Sequence, residues 1–317
     1  MERSSEIAAG QISVLVVTGP TASGKTELAI RLAEEFGGEV INADSMQVYR
    51  YMDIGTAKPS LEERGRVPHH LFDVVTPDVD YSAGRYAETA REVVREIHGR
   101  GRLPILAGGT GLYIRALLHG LIATGAAEPA LREQLEAEAE QARIDGQPGL
   151  LHERLRRQDP AAAESIHPHD TRRTIRALEI IAQSGRLASA VREDHAFGEA
   201  SFDSLHLAID PGREEVSRRI ELRSQAMIEA GLLREVRALH GRGYGPKLRS
   251  MQAIGYRHMN PVAEGVDTLV NAKVSMVADT RRFARRQRTW LRKVDDAIWL
   301  DPGQEAEIFK RVEAFAR

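Results

Sequence analysis

The amino-acid sequence predicts an α/β fold, with a parallel-sheet core of the P-loop, nucleotide-kinase type and an all-helical insertion domain. Short apolar runs alternate with helical patterns, which is the order of strands and crossover helices in a parallel sheet. The first run, 14–17, leads directly into residues 19–26, GPTASGKT, which fit the phosphate-loop pattern G-x-x-x-x-G-K-[ST]. Between about 121 and 200, helical patterns follow one another without a convincing strand, which predicts the insertion.

The core elements follow in order along two stretches, 12–120 and 201–317, after a tail at 1–11 that we expect to be flexible. Four later apolar runs predict further strands at 39–42, 104–107, 205–209 and 297–300, the last of them at a sheet edge. Helical spacing predicts core helices at 28–36, 82–99, 214–230, 232–240 and 267–292, with a short helix after the last strand.

Individual residues predict where several of the helices begin or end. Ser82 is a predicted N-cap, and Gly99 is predicted to end the helix that follows it. In the insertion, helices are predicted at 128–143 and 150–158. Asp159 and Asp170 are the predicted N-caps of two further helices there, and Gly185 is the predicted stop of the second. On the long helix 267–292 the predicted apolar face consists of Val270, Val274, Val277, Ala284 and Leu291.

Composition excludes several classes of site. The 317 residues are 42% hydrophobic, which is enough for a sizeable core, and they include no cysteine. Disulfides, thiolate zinc sites and a cysteine nucleophile are therefore excluded, and a reducing cytoplasm is the expected location. No stretch is long enough to span a bilayer. The net charge of −2 gives no global sign of a nucleic-acid partner, so local clusters of charge have to be considered.

The phosphate loop carries the clearest chemistry. Gly19 and Gly24 allow the backbone to curl so that its N–H groups converge, and the following helix N-terminus adds partial positive charge. Lys25 can reach phosphate oxygens, and the hydroxyl of Thr26 suits Mg²⁺. The loop therefore predicts a bound di- or triphosphate group, and leaves open whether that group belongs to a nucleotide such as ATP.

Two candidate polar residues follow other predicted strands. Asp44 comes after the second strand, on the same sheet edge as the phosphate loop. It could be an ordinary loop aspartate, an Mg²⁺ ligand, or a general base that faces a nucleophile. Thr110, within GGTG at 108–111, can donate one hydrogen bond to a ligand, although glycine turns of this kind are common.

Arginines cluster on three predicted helices. Arg172, Arg173 and Arg176 lie on one, with two of them on the same face. The end of the long helix carries seven cations without an intervening acid, an arrangement that a polyanion would relieve: Arg281, Arg282, Arg285, Arg286, Arg288, Arg292 and Lys293. For Arg172, Arg173 and Arg176, ordinary surface charge is an equally good explanation. Arg218, Arg219 and Arg223 lie on a third helix, where one of them could neutralise a leaving phosphate.

Several of these stretches, taken as an ordered set, resemble the bacterial tRNA dimethylallyltransferases, which are also called tRNA isopentenyltransferases. The similarity runs from about residue 12 to 300. The matching stretches are GPTASGKT (19–26), INADSMQVYR (41–50), MDIGTAKP (52–59), PHHLFD (68–73), YSAGRY (81–86), GGTGLY (108–113), RALEI (176–180), AIGYRH (253–258) and TRRFARRQRTWLR (280–292).

The resemblance implies transfer of a dimethylallyl group from dimethylallyl diphosphate to N6 of adenine 37, in tRNAs that read codons starting with U. It implies that Asp44, Thr110 and Arg223 are catalytic, and that Mg²⁺ is the cofactor, held near Thr26. The implied diphosphate-binding residues are Gly19, Pro20, Thr21, Ala22, Ser23, Gly24, Lys25 and Thr26. The implied tRNA-binding residues are Asp44, Ser45, Met46, Gln47, Thr110, Arg132, Arg172, Arg173, Thr174, Ile175, Arg176, Gln252, Arg257, Arg285, Arg286, Gln287, Arg288 and Arg292.

Three other functions stay open at this point. A P-loop nucleotide kinase fits the α/β core, but it does not need two distant arginine clusters. A non-catalytic RNA-binding protein does not need the phosphate loop and Asp44. An adenylate prenyltransferase shares the loop chemistry, whereas the helical insertion and the basic helix argue against a small free acceptor. We expect a cytoplasmic monomer whose partners are tRNA, through its anticodon stem-loop, and dimethylallyl diphosphate, with no membrane partner.

Overall fold

The structure, a computed structural model, describes residues 11–121, 128–195 and 202–317. Its sheet has six parallel strands in the order β3-β2-β4-β1-β5-β6. The strands are β1 (Ser13–Thr18), β2 (Gly38–Asn42), β3 (His69–His70), β4 (Leu103–Gly108), β5 (Asp203–Ile209) and β6 (Ile298–Leu300). The predicted α/β class is confirmed, and β6 lies at a sheet edge as predicted.

Helices connect the strands and continue beyond them. The first nine described helices are α1 (Lys25–Phe36), α2 (Leu61–Arg66), α3 (Ala83–Gly99), α4 (Gly111–His119), α5 (Pro129–Ile144), α6 (Leu150–Gln158), α7 (Pro160–Glu164), α8 (Thr171–Ser184) and α9 (Ala188–His195). After β5 come α10 (Arg213–Glu229), α11 (Leu232–Gly241), α12 (Tyr256–Ala263), α13 (Leu269–Leu291) and α14 (Glu305–Ala316). None of the helices in the described ranges is long and apolar enough to cross a membrane.

The core of the main unit lies on both faces of the sheet. Successive residues of a strand point to opposite faces, so Val14 and Val16 of β1 pack in one cluster while Leu15 and Val17 pack in the other. All four of these side chains are fully buried. A central parallel strand covered on both faces reads as a continuous apolar run, which is why the pattern in the sequence predicted it.

The chain divides into two compact units, with divisions after Leu118 and before Ala200, close to the predicted boundaries at 121 and 200. The smaller, helical unit has its own apolar cluster, which includes Leu155 and Leu178. Within it Asp159 caps α7 by accepting a hydrogen bond from the Ala162 N–H at 3.0 Å.

The apolar face predicted for α13 is wrong in part. On α13, Val270 and Val274 are 72% and 66% exposed, although they belong to the predicted apolar face. The other three predicted residues, Val277, Ala284 and Leu291, are buried as predicted. The buried side of the second half of α13 also includes Gln287 and Arg288, whose polar groups are hydrogen-bonded and which hydrophobicity alone did not predict. The predicted end of α3 is confirmed, since Gly99 is the last helical residue and Arg100 is the C-cap.

Replacing Asp159 tests how much this side chain stabilises the helical unit. Its carboxylate accepts three hydrogen bonds: from the Ala162 N–H, the Ser189 N–H and the Ser189 hydroxyl. Loss of the cap and of these bonds in Asp159→Ala is expected to lower the free energy of unfolding by about 2 kcal/mol. Urea unfolding followed by circular dichroism measures it. The matched control Asp170→Ala removes a single cap bond, to the Arg173 N–H, and is expected to cost about 1 kcal/mol.

The effect of Asp159→Ala depends on pH in a defined direction. Burial raises the pKa of Asp159, but the hydrogen bonds from Ser189 and Ala162 outweigh burial, so that the pKa lies below its ordinary value. The stabilisation is therefore present above the unfolded-state pKa, about 3.9, and is lost as the pH falls through the folded-state pKa. The stability gap between wild type and Asp159→Ala should narrow in acid, and a gap that stays constant would contradict this role.

Candidate active site at the carboxyl ends of the strands

The phosphate loop runs from the end of β1 to the start of α1, and its shape depends on close backbone packing. A Cβ on Gly19 would lie 2.2 Å from the carbonyl oxygen of Ile209, at the end of β5, so only glycine fits there. Gly24 (φ 94°) and the non-glycine Ala22 (φ 65°) both adopt positive φ. The loop therefore holds a conformation that most side chains disfavour, as expected where backbone N–H groups must converge on a ligand.

Side chains from distant parts of the chain hold the outer side of this loop at Thr21. The Thr21 N–H donates to Gln287 Oε1 at 2.7 Å, and Arg223 Nη2 donates to the Thr21 hydroxyl at 2.5 Å. One turn earlier on α10, Arg219 donates to the carbonyl oxygen of Ser23 at 3.3 Å. The structure thus brings predicted catalytic Arg223 against the predicted diphosphate-binding loop.

Lys25 lies among charged groups at the start of α1. Burial lowers its pKa to about 8, the negative charge of Asp44 opposes this shift, and the positive charge of Arg223 adds to it. Burial likewise lowers the pKa of Arg223 while Asp44 opposes the shift. One carboxylate and two cations therefore interact with one another at the phosphate loop. The two clustered cations leave positive charge that an anionic ligand would compensate.

Asp44 follows β2 on a turn that Asn42 holds in place. The Asn42 amide accepts from the Asp44 N–H at 2.9 Å and donates to the carbonyl oxygens of Asp44 and Leu71 at 3.1 and 3.0 Å. Asp44 Oδ1 accepts from the Met46 N–H at 2.8 Å. No hydrogen bond from any described residue reaches Asp44 Oδ2, so this oxygen is available as a proton acceptor.

Thr110 lies beside Asp44 without bonding to its carboxylate. The Thr110 hydroxyl accepts from the Ser45 N–H at 3.0 Å and donates to Ser45 Oγ at 3.3 Å, while the Thr110 N–H donates to Ala43 O. The resemblance implied that both residues are catalytic, and the structure connects them through Ser45. Thr110 therefore holds the turn that carries Asp44.

The metal prediction rests on Thr26, which is partly exposed in the first turn of α1. In the described ranges there is no cluster of three or more histidines and carboxylates that could hold a metal by itself. Mg²⁺ is commonly bound by one or two protein oxygens together with substrate phosphates, so such a cluster is not required. The residues present fit an ion that is held jointly by the Thr26 hydroxyl and a bound diphosphate.

Two predicted tRNA-binding residues of α13 are buried and hydrogen-bonded within the main unit. Arg288 is 8% exposed and donates two hydrogen bonds of 2.6 Å to the Asp210 carboxylate, and a third to the carbonyl oxygen of Gly212. Gln287 is 6% exposed and donates to the carbonyl oxygen of Gly109 at 3.0 Å. Both side chains are buried against loops of the core, and their contact with tRNA, implied by the resemblance, stays a prediction.

The outer face of α13 keeps part of the predicted basic surface. Arg285, Arg286 and Arg292 are exposed. Other cations of the predicted cluster are paired with acids. Arg281 pairs with Glu221 of α10, which is remote in the sequence. Arg282 pairs with Asp279 of the same helix, and Asp279 also pairs with predicted tRNA-binding Arg257. A further predicted contact residue, Gln252, donates to the carbonyl oxygen of Pro246.

The helical unit presents its predicted residues in two ways. Arg172 and Arg173 are exposed, whereas Thr174 and Ile175 are 1% and 5% exposed and buried within the unit. Their contact with tRNA stays a prediction. Arg132 and Arg176 both pair with the fully buried carboxylate of Glu179.

Sequence reasoning missed Asn42, Asp210 and Glu235. Glu235 accepts hydrogen bonds from the N–H groups of residues 53–55 and from the Tyr256 hydroxyl at 2.7 Å, which fixes the loop after Tyr49. A usable signal existed for Asn42 and Asp210, because each is a polar residue at the carboxyl end of a buried apolar strand. Glu235 gives no such signal, since its partners are far away in the sequence.

Comparisons with known proteins decide the family. The IPP transferase family model matches residues 47–294, more than half of the chain, and an isopentenyl transferase model matches residues 12–73. The chain belongs to the IPP transferase family. The resemblance stated from the sequence motifs is confirmed, and as a member of that family the chain is a transferase.

Relatives of this IPP transferase family member cover nearly its whole length. A tRNA dimethylallyltransferase of Desulfosudis oleivorans is 49% identical over 294 residues, 93% of this chain and 92% of the relative. The crystal structure of a tRNA isopentenylpyrophosphate transferase from Bacillus halodurans is 37% identical, with a TM-score of 0.71 over 96% of this chain and 97% of that chain. A eukaryotic dimethylallyltransferase acting on tRNA is 30% identical, with a TM-score of 0.77 over 91% and 73% of the two chains.

The lowered pKa of Lys25 predicts a pH dependence of anion binding. In the protein without a bound ligand, the charged fraction of the Lys25 amine falls from about nine-tenths at pH 7 to about one-tenth at pH 9. Binding of inorganic diphosphate, measured by calorimetry, is expected to weaken by about tenfold over this range. The control Lys25→Arg stays charged, so it corrects for the titration of diphosphate itself. Equal pH profiles for the two proteins would contradict the role of Lys25.

Proposed function

We propose that this protein transfers a dimethylallyl group from dimethylallyl diphosphate to N6 of adenine 37, in tRNAs that read codons starting with U, and releases diphosphate. The observation that supports it is the meeting of Asp44, Lys25 and Arg223 at the phosphate loop. Two cations suit a departing diphosphate, and one carboxylate suits the attacking amine. Membership of the IPP transferase family supports the same reaction.

The cations act on the leaving group. As the bond between the allylic carbon and the diphosphate oxygen breaks, its electron pair stays on the diphosphate and negative charge grows there. Lys25, Arg223 and the N–H groups at the start of α1 are already oriented toward this charge and need little reorganisation. The Thr21 hydroxyl, bonded to Arg223, keeps that guanidinium beside the loop before substrate binds.

Asp44 acts on the acceptor. The exocyclic amine of adenine is a poor nucleophile and hardly acidic, so a carboxylate cannot remove its proton beforehand. Asp44 accepts the proton as the carbon–nitrogen bond forms, through the oxygen that carries no hydrogen bond from the described residues. Asn42 and Thr110 keep the turn around Asp44 in place during this step.

Mg²⁺ fits the site as the resident cofactor. The Thr26 hydroxyl would hold it together with oxygens of the bound diphosphate. When bound, the ion supplies charge that stabilises the growing negative charge of the leaving group. Lys25 and Arg223 carry the rest of that stabilisation from the protein side.

Exposed arginines of each unit support an RNA acceptor. Arg285, Arg286 and Arg292 on α13 belong to the main unit, and Arg172 and Arg173 belong to the helical unit. Such side chains suit phosphate oxygens of an RNA backbone. An adenine in an anticodon loop can leave its stack at low cost, which allows it to enter a pocket. A relative of known structure, the eukaryotic dimethylallyltransferase, acts on tRNA.

Asp44→Asn tests the assigned base, because the amide keeps the acceptor for the Met46 N–H and loses the carboxylate. We expect the transfer rate to fall by about two orders of magnitude or more, since proton acceptance is lost. The assay mixes labelled dimethylallyl diphosphate, Mg²⁺ and unmodified tRNA, with AMP and ATP as rival acceptors. With wild type, the label should enter tRNA and neither nucleotide.

The control for this assay is Asp78→Asn, at an exposed aspartate, which should leave transfer unchanged. RNA affinity should be similar in all three proteins. Full activity of Asp44→Asn would remove Asp44 from the mechanism. Labelling of AMP instead of tRNA would favour an adenylate prenyltransferase, and consumption of ATP would favour a nucleotide kinase.

The exposed face of α13 can be tested through the salt dependence of RNA binding. In the double variant Arg285→Gln/Arg286→Gln, two predicted phosphate contacts are lost. The plot of log affinity against log salt should therefore become less steep by about 1 to 2. Filter binding of an anticodon stem-loop at several salt concentrations measures this. The matched control, Lys310→Gln/Arg317→Gln, changes the net charge equally, at one residue of α14 and at the residue directly after it. A slope that is reduced equally in both double variants would refute a local contact.

A further inference from the structure

Gln287 joins two loops of the candidate active site with one side chain. Its Oε1 accepts from the N–H of Thr21 in the phosphate loop at 2.7 Å, and its Nε2 donates to the carbonyl oxygen of Gly109, after β4, at 3.0 Å. The side chain is 6% exposed. The oxygen and the nitrogen of the amide are thus both hydrogen-bonded. Each bonds to a loop backbone group that has no partner within the sheet.

Gly109 provides the space for this contact. A Cβ at Gly109 would lie 2.2 Å from Gln287 Nε2, so any larger residue there would displace the amide. On the other side of the same loop, Arg223 holds the Thr21 hydroxyl. Thr21 is therefore held by its backbone from α13 and by its side chain from α10, immediately before the rest of the phosphate loop.

We propose that Gln287 is a positioning residue for the diphosphate: it orients the phosphate loop from the buried face of α13 and so determines diphosphate affinity, without contacting RNA. The proposal rests on the proposed function for the identity of the substrate. The resemblance assigned Gln287 to tRNA contact, but its amide faces inward, while the exposed face of the same helix carries Arg285 and Arg286.

The test compares Gln287→Met, which removes both hydrogen bonds at similar length, with the matched control Gln225→Met. Gln225 is on α10, and its amide donates to Glu229. With the full-length protein, calorimetry measures the Kd of inorganic diphosphate in the presence of Mg²⁺. Steady-state assays give kcat and the KM for dimethylallyl diphosphate, and filter binding gives the Kd of an anticodon stem-loop. For Gln287→Met we expect the diphosphate Kd and this KM to rise about tenfold, with RNA affinity unchanged within twofold.

A second perturbation reaches the same contact from the opposite side. Gly109→Ala should displace the Gln287 amide and raise the diphosphate Kd in the same direction, and the double variant should be little worse than either single one. A fall in kcat with unchanged KM and diphosphate Kd would indicate only a loss of folded protein and would overturn the proposal. Weaker RNA binding with unchanged diphosphate binding would identify Gln287 as an RNA contact.

These measurements distinguish failure of the proposed function from failure of the positioning role of Gln287. Diphosphate binding is measured without any transfer. Absence of prenyl transfer in wild type would therefore refute the proposed function. A higher diphosphate Kd in Gln287→Met would still support the positioning role. Conversely, normal transfer in wild type with unchanged diphosphate binding and KM in Gln287→Met would refute only the positioning role.

Discussion

The conformation of the phosphate loop is the constraint on which the candidate site depends. Its backbone must turn so that N–H groups converge, and a turn of this kind leaves other backbone groups without partners in the sheet. Gly19 makes the turn possible because its missing Cβ lets the loop approach the end of β5. Side chains of α10 and α13 then satisfy the groups on the outer side of the loop.

The helix α13 connects the phosphate loop to the rest of the main unit. Its buried face carries Gln287 toward the loops after β1 and β4, and Arg288 toward the turn after β5. Three neighbouring strands of the sheet, β4, β1 and β5, are therefore tied at their carboxyl ends by two residues of one helix. The exposed face of that helix remains free for arginines, so one element serves both packing and the proposed binding of RNA.

How far the sequence predicted the structure differs between kinds of feature. The caps Asp159 and Asp170 and the stop at Gly185 were predicted correctly, because the hydrogen bonds and the positive φ involved are local. Buried strands were predicted since both faces are covered. The face of α13 was predicted only in part, because its buried residues include Gln287 and Arg288, whose polar groups have partners, such as Asp210, at remote positions. The same reason hid the pairing of Arg281 with Glu221.

By itself the sequence determined the α/β class, the phosphate loop and Asp44 as a candidate base, since each depends on a short pattern with a local physical cause. Its ordered motifs also indicated the family. Only the tertiary structure decided which arginines are exposed and which are buried in ion pairs, and that Thr110 acts on Asp44 through Ser45. Those outcomes depend on distances between residues far apart in the chain, and such distances exist only once the sheet and its helices have packed.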